Sequence, residues 1–228
     1  MNRIDAAEVK LRATELGMDL CGIAPVGRFA DAPQGFHPTD VNKTCKSVIV
    51  FAARFPVSSL ASPSAAAYTF VRNKVMDKVD AAACQLAAEL EILGGNAVPI
   101  PSSDPYEYWD EERRHGQGIL SLKHAAVRAG LGQLGKNTLL INDRLGNMLW
   151  LGAVLVDQEL AADEPVGYQA CISGCRICLK ACPAQALDGI TIVQKQCRAV
   201  SYKQTGGGGG VYACNLCRKL CPRHNGIQ

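Results

Sequence analysis

The chain has 228 residues, 48% of them hydrophobic and 20% charged, with a net charge of +3. That length supports one substantial core with a small appended module, and the charge is too small to imply nucleic acid by itself. No apolar run reaches the length needed to span a bilayer, which predicts no membrane contact.

The opening residues, MNRIDAAEVKLRATELG, carry charges every few positions and lack the apolar stretch of a secretory signal. The expected compartment is the cytoplasm. Residues 4–17 read as a helix ending at Gly17, followed by a short strand from Leu20 to Ala24 that stops before Pro25. Ser47 to Ala53 is an apolar, β-branched run of the kind buried in a sheet. The longest helix is expected from about Ser64 to Leu93. There Val71, Val75, Val79, Ala82, Leu86, Leu90 and Leu93 recur at helical spacing, and Gly94-Gly95 supplies the stop.

Ala97 to Ile100 reads as a strand closed by Pro101, and residues 101–118 as a polar loop over a site. A helix over Ser121 to Ala129 leads into a glycine-rich segment. Strands at Thr138–Ile141 and Met148–Val156 flank the turn 142–146 and are expected to form a hairpin. Residues 157–170 are acidic and turn-rich, which sets a boundary between an N-terminal domain (1–165) and a C-terminal module (166–228). The irregular alternation of strands and helices predicts an α/β (α+β) fold with a mixed sheet.

The C-terminal module carries the strongest chemical signal. Eight of the 11 cysteines lie there, in two runs that each end in Cys-Pro: Cys171, Cys175, Cys178, Cys182-Pro183 and Cys214, Cys217, Cys221-Pro222, with Cys197 alone between them. The bacterial ferredoxin run is C-x2-C-x2-C-x3-C-P, and its fourth cysteine ligates the other cluster of a pair. Two four-iron clusters need eight thiolates. The crossed logic gives Cys171, Cys175, Cys178 and Cys221 to one cluster and Cys182, Cys197, Cys214 and Cys217 to the other. The first run has three residues, Ile172, Ser173 and Gly174, where two are usual, and Gly174 can absorb the extra residue in a looser turn.

Disulfides belong more often to small secreted chains. Structural zinc also suits C-x2-C knuckles, but it has no use for a crossed fourth ligand. Cys21, Cys45 and Cys84 lack partners at ligand spacing, and Cys84 reads as a small buried core residue. Gly206–Gly210 reads as a flexible linker, with close backbone approach to a cofactor as the alternative.

A two-cluster module needs only about 60 residues, so the longer N-terminal domain must bind something else. In Ser121 to Asn142, Gly130, Gly132 and Gly135 expose backbone amides after a helix, with Lys136 and Asn137 alongside. Such an arrangement can grip carbonyl, amide or phosphate groups. It is neither a dinucleotide fingerprint nor a phosphate loop. His124 on the preceding helix, with Tyr106 and Tyr108 beside Trp109 in the loop, are candidate proton donors, and each also has an ordinary packing role open to it. Lys123 and the charged run 110–115 read as solvated.

The segment AGLGQLGKNTLLIN, then LGNMLWLGAVLVD, then the cysteine runs, resembles the epoxyqueuosine reductases and, more distantly, the corrinoid-dependent reductive dehalogenases. The resemblance covers roughly residues 115–222. It implies a nitroreductase-like domain holding base-off cobalamin, with two 4Fe-4S clusters feeding electrons to cobalt. It would place Gly130, Leu131, Gly132, Gly135, Lys136, Asn137, Leu145 and Gly146 along the corrinoid. The acidic residue expected about 14 positions before AGLG is absent, since Gly116, Gln117 and Gly118 stand there. The helical-repeat domain that would follow the clusters is also absent, which argues against tRNA as substrate. The implied activity is a cobalamin-dependent reductase taking electrons from an external ferredoxin or flavodoxin and acting on a small molecule. The alternative is an electron-transfer protein that reduces the corrinoid of a partner.

Overall fold

The computed structural model describes residues 5–227. Ile4, where the expected first helix starts, lies outside them. Helix α1 (Ala6–Glu15) is capped by Asp5, whose carboxylate accepts from the Ala7 N–H at 3.3 Å. It is followed by β1 (Leu20–Pro25), the single turn α2 (Pro38–Val41), β2 (Ser47–Arg54) and the long α3 (Ala65–Ile92). Gly94 adopts φ +89°, and its neighbour Gly95 donates to the Leu90 carbonyl, which ends α3 as the glycine pair predicts. Then come β3 (Ala97–Ile100), β4 (Tyr108–Asp110), β5 (His115–Gln117), α4 (Leu122–Arg128), β6 (Gln133–Leu134), β7 (Leu140–Ile141) and β8 (Leu149–Val156). The cysteine-rich part contributes α5 (Ile177–Ala181), α6 (Gln194–Ser201), β9 (Tyr202–Gln204), β10 (Gly210–Tyr212) and α7 (Leu216–Lys219).

The main sheet has the order β1-β2-β8-β3, and every neighbouring pair is antiparallel. The mixed sheet expected from the sequence is therefore corrected. Helix α3 does carry the chain from β2 to a parallel β3, but β8 fills the gap between them and runs against both. Alternate residues of β2 serve opposite faces. Ile49, Phe51 and Ala53 face α1 and α3, whereas Val48, Val50 and Ala52 pack toward Ala125, Ala126 and Ala129 of α4. Coverage on both sides explains why β2 and β8 read as unbroken apolar runs. Gly22 is required by this arrangement, because a Cβ there would lie 2.2 Å from the Ala129 carbonyl oxygen.

The expected hairpin between residues 138–141 and 148–156 does not form. β7 pairs with β6, and β8 is taken by the main sheet. The turn between them is nevertheless tight. Asn142 Oδ1 accepts from the Arg144 and Leu145 N–H groups, both at 3.0 Å, and Asn142 and Gly146 exchange backbone hydrogen bonds. The polar loop 101–118 contains the small β4–β5 hairpin. Gly206–Gly208 have open space around them at the tip of the β9–β10 hairpin, clear of the thiols, so the tract acts as a turn. Cys84 is exposed, correcting its reading as a core residue, because the helical period turns Ala82 and Ala83 inward and leaves position 84 outside.

The cysteine-rich part is packed onto the sheet and α3. The Tyr212 N–H donates to Thr69 Oγ1 at 2.8 Å, and the Arg72 guanidinium lies between Tyr212 and Trp150, 4.1 and 4.8 Å from the ring centroids. A desolvated cation on aromatic faces contributes about 1–2 kcal/mol. Arg72→Met keeps the aliphatic stem and loses the cation, so the Tyr212 amide should exchange with solvent roughly tenfold faster. Hydrogen-exchange mass spectrometry of residues 202–212 checks this, and unchanged exchange would remove Arg72 as the clasp.

Candidate metal centre

Both C-x3-C-P endings meet the same backbone constraint. A residue before proline is pushed out of helical geometry into the extended region. Helix α5 ends at Ala181, and Cys182 takes φ −72°, ψ 109°, so the chain turns away immediately after the helix that carries Cys178. The thiols of one sequence run are thereby separated.

Cys171, Cys175, Cys178 and Cys221 line one small cavity, of about 20 Å³, together with Lys136, Asn137 and Ile141. Gly174 has φ +71°, and the Cys175 N–H closes a turn on the Ile172 carbonyl at 3.0 Å, so the extra residue is absorbed at the glycine. The Lys136 N–H donates to Cys171 Sγ at 3.3 Å, and Lys136 Nζ donates to the Cys175 carbonyl at 2.9 Å.

The other four gather separately. Cys197 on α6 lies in the field of Cys182 and Cys214, and Cys217 on α7 in that of Cys197, Cys214 and Cys182. Cys221, four residues after Cys217, is instead influenced by Cys171, Cys178 and Cys175. The Ala186 N–H donates to Cys182 Sγ at 3.3 Å, and Cys197 Sγ lies 3.8 Å from Ser201 Oγ.

Burial pushes the Cys217 thiol up to about 11 despite the opposing charge of Arg218, and it raises Cys178, Cys197 and Cys221 as well. Grouped thiols that resist ionisation suit cationic metal, which deprotonates a coordinating thiol outright. Among the described residues, no three His, Cys, Asp or Glu side chains converge on one ion position. Four thiols around one cavity are the donor set that a four-iron cluster takes.

The glycine segment differs from its expected role as an open cradle. A Cβ at Gly130 would lie 2.4 Å from the Glu164 carbonyl oxygen, at Gly132 2.5 Å from that of Ile141, and at Gly135 2.6 Å from Ile141 Cδ1. At Gly146 it would meet the Arg223 and His224 backbone at 2.3 Å. These glycines make room for the protein's own chain. The amides of three of them are also engaged, Gly130 with Val127, Gly135 with Leu139 and Gly146 with Asn142. Leu131 and Asn137 are buried, Leu145 packs partly into the core, and Asn137 Nδ2 donates to the Cys217 carbonyl at 3.0 Å. At these glycines the segment receives the protein's own chain, and through Lys136 and Asn137 it supports the thiol groups.

The three candidate proton donors fall in different places. His124 pairs with Ser121 Oγ at 2.6 Å on α4, and partial burial with the charges of Lys123 and Arg128 keeps its pKa below the ordinary value. Lys123, read from sequence as solvated, is instead desolvated, and its ammonium is pushed down by burial alone. Tyr108 packs on Phe36 at 5.1 Å. Tyr106 stacks on Trp109 at 6.0 Å, and Arg198 of α6, next to Cys197, reaches both rings and the Tyr106 hydroxyl. Gln194 of α6 bonds both backbone groups of Gly116, which fixes the β4–β5 hairpin against this helix.

Sequence reasoning missed Arg218, buried at 7% exposure, whose guanidinium donates to the Asn147 carbonyl and lies 4.9 Å from the Phe55 ring centroid. Its position beside Cys217 in a metal-ligand run was the available signal. Asn147 returns a bond to the Arg218 carbonyl at 3.4 Å, and its buried Oδ1 lacks a partner among the described residues.

No family model matches the chain. Epoxyqueuosine reductase from Staphylococcus aureus is 36% identical over 122 residues, covering 49% of this chain and 31% of that protein. The chain thus matches under a third of that curated relative's length. The solved epoxyqueuosine reductase from Streptococcus thermophilus superposes with a TM-score of 0.66 at 21% identity, covering 97% of this chain and 66% of that one. A reductive dehalogenase, described as suggesting a mechanism for B12-dependent dehalogenation, superposes with a TM-score of 0.65 at 18% identity, covering 95% and 31%. The resemblance read from the sequence holds, and the fold is shared with both kinds of enzyme.

The packing around the glycines separates two kinds of position. Gly132→Ala should destabilise by about 1–3 kcal/mol through overpacking, lowering the anaerobic unfolding midpoint by several degrees. Gly207→Ala, in open space at the hairpin tip, should change stability by less than about 0.5 kcal/mol. Equal midpoints for the two variants would contradict the packing role of Gly132.

Proposed function

We propose that the chain is an iron–sulfur reductase with an α/β domain (residues 1–165) and a two-cluster, ferredoxin-like module (residues 166–228). Cys171, Cys175, Cys178 and Cys221 hold one 4Fe-4S cluster, and Cys182, Cys197, Cys214 and Cys217 hold the second. The observation that supports this reading most is that Cys221 shares one cavity with Cys171, Cys175 and Cys178, across their order in sequence, while Cys182, Cys197, Cys214 and Cys217 act on one another. The half-buried Cys171 and Cys182 sulfurs, which accept N–H groups from Lys136 and Ala186, support the same view, because such bonds tune cluster potential. The crossed arrangement draws the clusters together for electron exchange. Electrons enter from an external carrier and leave toward a small-molecule substrate or a partner's corrinoid. Of the proposed proton donors, Tyr106 is the one tied to a thiol-bearing helix.

A second reading places cobalamin on this chain, and the fold shared with a dehalogenase described as B12-dependent supports it. Bound there, the corrinoid would supply a strongly reducing cobalt. Gly130, Gly132, Gly135 and Gly146 are filled by the protein's own chain and give a corrin ring no cradle at those four positions, so the electron route proposed here ends at the clusters. Cobalamin titration under reducing conditions separates the readings. The first expects no base-off spectral change, and stoichiometric uptake would establish the second.

Anaerobic protein should contain about eight iron and eight sulfide per chain. Serine at any of the eight ligand positions should remove or alter one cluster, since thiolate is the ligand these clusters use. Serine at Cys21, Cys45 or Cys84 should leave the iron count unchanged. Desolvation pushes the first two thiols up to about 12 and about 11, and the third is exposed on α3. Four irons in intact wild-type protein would refute the two-cluster assignment.

A further inference from the structure

The charge of the chain is divided unevenly. Residues 171–228 carry eight Lys and Arg against one acid, Asp188, so the remainder is net acidic given the overall +3. This excess persists after the negative charge of two thiolate-bound clusters is set against it. Part of it is used structurally, since Arg218 is buried on Asn147 and Arg223 donates to the Gln169 carbonyl. Lys195 and Lys203, on α6 and β9, are exposed without an ion-pair partner among the described residues, and so, around α5 and α7, are Arg176, Lys180 and Lys219.

These three share their helices with apolar side chains that are also exposed. Arg176, at the N-terminal cap of α5, and Lys180 within it are four apart and flank Ile177, which is 44% exposed. Leu216, Lys219 and Leu220 follow three- and four-residue spacing on α7, with the two leucines 36% and 43% exposed. Helices α5 and α7 pack against each other. They carry Cys178 and Cys217, one thiol from each group, and lead directly into Cys182 and Cys221. Side chains three and four apart lie on one helical face.

We infer that the exposed face of α5 and α7 is the docking surface for an acidic electron-carrier protein. The inference rests on the iron–sulfur reading and adds where the electron enters and what kind of partner delivers it. Interfaces of this kind combine apolar contact with complementary charge, the charge setting encounter rate and orientation. Unpaired cations around apolar side chains fit carboxylates around a redox centre. The cluster-bearing helices lie directly beneath, so the carrier's centre stops close to the irons. One electron passes from the reduced carrier to a cluster, and no proton or bond is exchanged. A nucleic-acid strand would use the cations but leave Ile177, Leu216 and Leu220 without a role.

The test is stopped-flow reduction of reconstituted wild-type protein by the hydroquinone of a strongly acidic flavodoxin. The comparison is the triple variant Arg176→Glu, Lys180→Glu, Lys219→Glu. The wild-type rate should fall steeply with salt, and the variant should be at least about tenfold slower at low ionic strength. Iron content and reduction by photoreduced deazaflavin should be unchanged. The double variant Lys195→Glu, Lys203→Glu, on α6 and β9, should retain most of the rate. A triple variant reduced as fast as wild type, or a wild-type rate indifferent to salt, would overturn the docking proposal while leaving the clusters in place. Loss of tRNA binding in the triple variant without loss of reduction rate would assign the face to nucleic acid instead. Wild-type protein that assembles no clusters would sink the iron–sulfur reading itself, and the docking proposal with it.

Discussion

Proline after a cysteine is the constraint on which this molecule turns. Pro183 and Pro222 deny helical geometry to Cys182 and Cys221, so each short helix is cut off just before its last thiol. Cys178 and Cys217 stay with their helices, whereas the cysteine four residues later is directed elsewhere. The two thiol groups are interlocked through these junctions. Neither can form without segments about 40 residues apart in sequence, which makes the C-terminal region one cooperative unit.

That unit depends on the α/β domain for its walls. The glycine segment 130–146 leads from α4 through the β6–β7 hairpin into β8, and supplies the Lys136 amide to Cys171 and the Asn137 side chain to the Cys217 carbonyl. Gly146 lets the Arg223 and His224 backbone lie directly on the turn before β8. Arg218 reaches the other way, into the core at Phe55. Buried polar contacts of this kind hold one arrangement of the two parts when all are made. The clusters of this proposal would rest on a rigid sheet.

Much of the frame was legible in the amino-acid order. Ser47–Arg54 and the 28-residue α3 announce themselves through β-branched runs and helical spacing, and Gly94-Gly95 marks the helix end. The x3-Cys-Pro signature carries its own geometry, so the crossed grouping of the cysteines could be proposed from the amino-acid order alone. The strand pairing was not. β8 looks locally like the second arm of a hairpin, and only the vacancy between β2 and β3, created by the α3 crossover, draws it away. What fills the space beside the glycines was not legible for a related reason. Sequence reports that a side chain is absent, but not whether a ligand or the protein's own backbone occupies the space. Tertiary packing decides that, here through Glu164, Ile141 and the Arg223–His224 backbone. Arg218 was hidden by a general expectation that arginine is exposed.

The crossed assignment is the central claim, and an iron-anomalous electron-density map of anaerobically reconstituted crystals tests it most directly. The account predicts two groups of four irons, with the Cys221 sulfur on the group held by Cys171, Cys175 and Cys178, and the Cys182 sulfur on the group held by Cys197, Cys214 and Cys217. A map with Cys182 on the same irons as Cys175 and Cys178, or with a single metal site, would contradict it.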